Sequence, residues 1–165
     1  MARARAAKVL LVEPDPYRRS VATGLGIDVL DSGSEDLTGA LHAWSGGAGA
    51  AVTFEVSGTQ PGLDLAVAAL GARGRLVAVG IHPEPRRVDM RRVFWKELQL
   101  LGARVYERSD FTAAVELLEH GSVPVDALVS RVDALAEAPA AFESLARGGR
   151  VMKVLVDCGA AGGTT

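Results

Sequence analysis

The sequence predicts an α/β fold in which βαβ units build a parallel sheet with helices on both of its faces. Short apolar runs alternate with amphipathic stretches along the chain, which is the pattern of strands joined by crossover helices. The amphipathic stretches open on residues that suit helix starts, two of them with proline just inside. The chain is also long enough for such a domain: 165 residues with 48% hydrophobic content can bury about two thirds of the surface that the unfolded chain exposes.

The first strand is Val9 to Val12, an apolar run that stops at Glu13. Asp15 can then accept from the free amides of a helix whose first residue is Pro16. A short strand follows at Asp28 to Leu30, and Ser34 caps a helix entered at Glu35. Ala51 to Val56 is the next strand, and Gln60 before Pro61 starts the helix behind it. Strands at Arg75 to Val79 and at Leu98 to Leu101 complete the apolar centre of the chain.

Asp110 and Glu137 open two further helices. Phe111, Ala114, Val115, Leu117 and Leu118 give the first of these an apolar face, and it stops at His120 and Gly121. The last strand is Val151 to Val156. Residues 1–158 are expected to form one domain, and residues 159–165, GAAGGTT, a disordered tail too small and polar to pack.

Composition narrows the function. Lys and Arg number 18 against 20 Asp and Glu, and a net charge of −2 gives no general attraction to nucleic acid or to anionic membranes. One cysteine, Cys158, and three scattered histidines supply no zinc-ligand spacing. No apolar window approaches the roughly 18 residues that span a bilayer, so the chain is expected to be soluble and cytoplasmic. His82 and Cys158 have no partner residues at motif spacing and are assigned no role.

The informative stretch is VEPDPYRR, residues 12–19. In a dinucleotide-binding fold the second strand ends in an acid that accepts hydrogen bonds from the adenosine ribose hydroxyls and disfavours a 2′-phosphate. Glu13 stands where that acid belongs, and Arg18 lies one helical turn further on. The same residues also make an ordinary strand end with a solvated glutamate and a helix cap. A glycine loop for the pyrophosphate would lie about 20 residues before the acid, which this chain does not hold. GLGIDV at Gly24, GGAGA at Gly46 and GARGRL at Gly71 all lead from helix to strand, the wrong order for such a loop.

The segments VEPDPYRR, GLGIDVLD, VTFEVSGTQPGLDLAVAALGARGRLVAVGIH, VDMRRVFWKELQLLGARVYERSDF and GGRVMKVLVDC, in this order and spacing, resemble the C-terminal half of the zinc-dependent medium-chain alcohol dehydrogenases. The resemblance is nearest to the butanediol, sorbitol and threonine dehydrogenases and runs from Ala2 to Cys158. It implies a Rossmann-like parallel sheet lacking the first strand and the glycine loop, with 2–7, ARARAA, as the remnant of the first helix. NAD is the cofactor it implies.

Position by position, the resemblance makes Glu13 the ribose-binding acid and Arg18 the basic residue at the adenosine end. Ser57 and Gly58 follow the strand under the adenine. Val79, Gly80 and Ile81 form the turn that holds the nicotinamide amide, with the strand end Leu101 beside it. Lys153 reaches toward the pyrophosphate. In such enzymes a separate N-terminal domain brings the catalytic zinc; no zinc ligand is expected in this chain, and activity would need another chain that carries that domain.

A missing first strand would leave two open edges. Either the Val9 strand pairs directly with the Ala51 strand, or another chain fills the gap. Val151 to Val156 would fold back, pair between chains or fray. The resemblance also implies a homodimer joined edge to edge through a short strand near Arg87 to Asp89. Two readings besides the dehydrogenase stay open: a non-catalytic Rossmann-like module that dimerises or binds nucleotide weakly, and a truncated gene product.

Overall fold

The computed structural model describes residues 8–159, so both the 2–7 helix remnant and most of the expected tail lie outside the described residues. The described chain divides into two compact units, 1–34 with 108–165, and 35–107.

In the first unit β1 (Leu10–Val12) ladders in parallel with β2 (Asp28–Leu30). The crossover between them is α1 (Pro16–Gly24), which starts where the sequence places it. Asp15 caps it by accepting from the Arg18 amide at 2.9 Å, and Pro16 occupies a position whose amide would have had no partner. Ala22 is its buried contact.

The chain returns to this unit with α5 (Arg108–Glu119), which begins two residues before Asp110. A single turn, α6 (Val125–Leu128), leads into β6 (Val129–Ala134), then α7 (Ala138–Arg147) with Glu137 at its cap, and β7 (Lys153–Asp157). β6 and β7 form a second parallel ladder, with an irregularity where two residues of β6 oppose one of β7. The terminal strand has thus folded back, one of its three expected outcomes. Arg131 in β6 is tied to α7 through Ser144 at 2.8 Å.

In the second unit α2 (Leu37–Trp44) is capped by Asp36, which accepts from the Gly39 amide at 2.9 Å. The sequence reading had chosen Ser34; both residue types cap, and the aspartate two positions later holds the free amide. β3 (Ala50–Glu55), α3 (Gln60–Ala69), β4 (Leu70–Ala78), α4 (Met90–Trp95) and β5 (Gln99–Gly102) complete the unit. Their sheet is parallel with the order β3-β4-β5.

β4 begins at Leu70 rather than at Arg75 because the chain leaves α3 directly into a pairing of Leu70 with Ala50. The ladder resumes at Val52 with Arg75. The intervening loop is possible because Arg73 adopts a positive φ of 58°, its amide donating to the Lys96 carbonyl at 2.6 Å. The Lys96 ammonium in turn donates to the Leu70 carbonyl.

Leu63, Ala66, Val67, Leu70, Leu76 and Leu98 are the core of this unit, with Val88 and Val93 packed against it. Burial of such side chains stabilises by about 1.5–3 kcal/mol each.

Within the units, β1 pairs with β2 and β3 with β4. Residues 87–89 form no strand within the chain. Instead the Gln60 side-chain amide takes the strand-partner position: Arg87 N donates to Gln60 Oε1 at 3.0 Å, and Gln60 Nε2 donates to the Arg87 carbonyl at 2.9 Å.

Candidate functional site

The carboxyl ends of β3 and β4 meet at Glu55, the last residue of β3. It is 2% exposed and the one buried charged residue among those described. A carboxylate taken out of water needs donors, and the sequence directly after it supplies them. Oε1 accepts from Ser57 N at 2.8 Å, Ser57 Oγ at 2.5 Å and Gly58 N at 3.0 Å. Its main-chain carbonyl accepts from Val79 N at 2.8 Å and Gly80 N at 2.9 Å. One residue therefore ties the turn after β3 to the turn after β4.

Burial alone would raise the Glu55 pKa. The hydrogen bonds from Ser57 and Gly58, with a smaller effect from His82, outweigh it and lower the pKa below its ordinary value.

The two turns touch through glycine. Gly58 has φ +66°, and a side chain there would overlap the Ile81 carbonyl oxygen. A Cβ on Gly80 would lie 2.5 Å from Gly58 N. No other residue fits this approach. The result is a backbone shelf at the strand ends, from which Val79 and Ile81 project at 44% and 88% exposure.

Thr59 beside the shelf caps α3 by accepting from the Gly62 amide at 3.1 Å. A cleft of about 350 Å³ opens next to it, with an apolar floor that includes Leu63, Ala78, Leu100 and Leu101, and with His82 and Arg86 on its wall. Leu101 aligns with Val77 of β4. Of the residues singled out from the sequence, Ser57, Gly58, Val79, Gly80 and Ile81 are thus gathered around Glu55, with Leu101 on the neighbouring strand.

The first unit holds the others. Glu13 follows β1 and is half-buried. Its amide donates to the Leu30 carbonyl at 3.1 Å, which keeps it at the strand end, and its Oε1 accepts from Asp15 N at 3.0 Å. Arg18 is exposed on α1, and Lys153 is exposed at the start of β7. No hydrogen bond among the described residues joins Lys153 to Glu13 or Arg18. A nearer tie comes from Arg150, whose guanidinium lies 5.3 Å from the Tyr17 ring centre, within cation–π range.

Three residues escaped the sequence reading. Glu55 was inside a quoted segment but not singled out; the signal was a carboxylate ending an apolar strand, with Ser, Gly and Thr starting two residues later. His82, assigned no role, stands with Nε2 at 2.9 Å from Glu55 Oε2. Arg19, adjacent to the chosen Arg18, is the structural arginine of the β1 turn. Its guanidinium donates to the Glu13 carbonyl at 2.9 Å and the Pro14 carbonyl at 2.6 Å and pairs with Asp31 at 2.8 Å.

Each unit holds one feature on which a dinucleotide depends: the first a carboxylate at a parallel strand end, the second a close glycine-to-backbone contact at two further strand ends. A metal site does not emerge in the same way. Among the described residues no three His, Cys, Asp or Glu side chains gather as ligands, and no zinc-dependent step is derived from them. No helix among them is long and apolar enough to cross a membrane.

Comparison with known proteins agrees with this geometry. Residues 1–120 match the family described as zinc-binding dehydrogenase. The chain is 40% identical to the 2-dehydro-3-deoxy-L-galactonate 5-dehydrogenase of Pseudoalteromonas atlantica over 97% of its own length and 47% of that protein's. It superposes on the 2R,3R-butanediol dehydrogenase of Bacillus subtilis with a TM-score of 0.85 and 26% identity, covering 94% of this chain and 45% of that one. A Sinorhizobium meliloti structure described as a zinc-binding dehydrogenase bound to NADP gives a TM-score of 0.80 at 26% identity, covering 94% and 46%. The chain spans about half the length of these relatives.

Proposed function

Because the chain belongs to the zinc-binding dehydrogenase family, we propose that it is the NAD-binding portion of a zinc-type alcohol dehydrogenase acting on diols or polyols. When bound, NAD supplies the acceptor for a hydride from a secondary alcohol. Glu13 holds the ribose hydroxyl pair and disfavours a 2′-phosphate, so that NAD is preferred to NADP. Arg18 neutralises charge at the adenosine end, and Lys153 does so at the pyrophosphate. Ser57 and Gly58 line the adenine side, and the backbone of Val79, Gly80 and Ile81 meets the nicotinamide amide with Leu101 beside it.

The observation that carries this reading is the pair of turns locked together by Glu55, because it brings glycine backbone to adjacent parallel strand ends. Zinc ligands, and with them turnover, come in this reading from residues outside this chain, borne by a separate domain or chain. Calorimetric titration of the chain with ADP-ribose and NAD tests the cofactor site. Binding of both, abolished by Glu13→Ala, is expected. No binding at millimolar NAD would leave a non-catalytic module as the better reading.

A homodimer is part of the proposal, formed by edge pairing at residues 87–89. The Gln60 amide supports it: by engaging both the N–H and the carbonyl of Arg87 it holds that residue extended, as a neighbouring strand would.

A further inference from the structure

The Ile81 side chain is 88% exposed, so packing of its own does not hold it at the shelf. What holds it is on either side in sequence: Gly80, bonded to the Glu55 carbonyl at 2.9 Å, and His82, with Nε2 at 2.9 Å from Glu55 Oε2. The carboxylate is divided between the turns, since Oε1 takes all three donors from Ser57 and Gly58, while Oε2 makes no hydrogen bond and faces His82 Nε2 as an ion-pair contact. The His82 side chain is 19% exposed, and its Nδ1 is buried with no hydrogen-bond partner among the described residues, so Nε2 is the ring's polar attachment. Arg86 adds a second strap by donating to the Gly58 carbonyl at 3.2 Å.

We propose that His82, through Glu55, is a positioning residue that fixes the Val79–Ile81 turn and thereby sets the affinity for the nicotinamide half of NAD relative to the adenosine half. This rests on the cofactor reading above. His82 acts by holding Ile81 and Gly80 against the Ser57–Gly58 turn. The Ser57–Gly58 turn on the adenine side keeps its three bonds to Glu55 Oε1, so a change at His82 leaves that turn in place.

The test compares NAD with ADP-ribose, which lacks the nicotinamide, by calorimetry on the full chain. The unsubstituted chain is expected to bind NAD more tightly than ADP-ribose. His82→Ala should weaken NAD about tenfold, through loss of the contact that holds the turn to Glu55 Oε2, and leave ADP-ribose within about twofold, well below that effect. His82→Asn, too short to reach Glu55 yet polar, should match it without opening a cavity, and His82→Gln, which can reach, should restore the ratio. An unsubstituted chain that binds both ligands equally, or a ratio that survives both His82→Ala and His82→Asn, overturns this proposal alone. If neither ligand binds the unsubstituted chain, the cofactor reading falls and this proposal with it.

Discussion

Glu55 and the turn at Glu13 set the site one side chain at a time. The Glu55 pKa is lower in the folded chain than its ordinary value of 4.5, so its stabilising effect is fully present above about pH 4.5 and is lost as pH falls through the folded value. Urea unfolding of the unsubstituted chain should therefore lose stability on acidification below pH 4.5, and Glu55→Gln should flatten that dependence. At pH 7 the same variant should cost about 1–3 kcal/mol, because the Ser57 and Gly58 donors exchange a carboxylate for a neutral amide oxygen. Asp15→Ala should cost about 1 kcal/mol by uncapping α1, seen as a lower melting temperature in circular dichroism. Asp15 was legible in the sequence because a cap acts on amides two or three residues away. The part played by Glu55 was not, since its partners extend to residues 79–82 and are brought together by the pairing of β3 with β4. Arg19 was hidden for a similar reason: its role depends on Asp31 at the end of another strand.

At the scale of elements, strands and most helix starts were readable because apolar runs and caps are local signals. The boundaries that moved did so where tertiary pairing decides. β4 reached back to Leu70 because Ala50 pairs there. The α6 turn and the β6-β7 ladder lacked a strong periodic signal; Val129–Ala134 alternates in burial only weakly. The glycine contact between the turns after β3 and β4 gives a direct test of the shelf. Gly58→Ala forces a side chain into the Ile81 carbonyl at a positive φ and should lower stability by more than about 1 kcal/mol. Gly121→Ala, with nothing within 4 Å of the added carbon, serves as a control that bears only the backbone strain. Thermal melts of the two variants check the difference.

Over the whole molecule, large apolar side chains are exposed in both units, among them Phe94 at 73%, Trp95 at 72% and Phe142 at 73%. The proposed dimer and partner domain would each cover surface of this kind. Sedimentation equilibrium should find twice the mass of one chain at micromolar concentration; a single-chain mass would count against edge pairing at residues 87–89. The fold class was legible at this scale because βαβ alternation is a global rhythm. The division into separate parallel ladders was not, since hydrogen bonding between distant strands leaves no local mark in composition or spacing.

Parallel pairing also governs how the chain emerges during synthesis. A strand in a hairpin meets its neighbour almost at once, but here Val52 has to wait until Arg75, its ladder partner, has been made. At ribosomal speeds of about 5–20 residues per second, Val52 is left without that partner for about one to five seconds, its side chain open to whatever lies near the exit tunnel. Arg75 waits for Gln99 and Val129 for Lys153 over a similar length, so the nascent chain is open to chaperones at each of these steps.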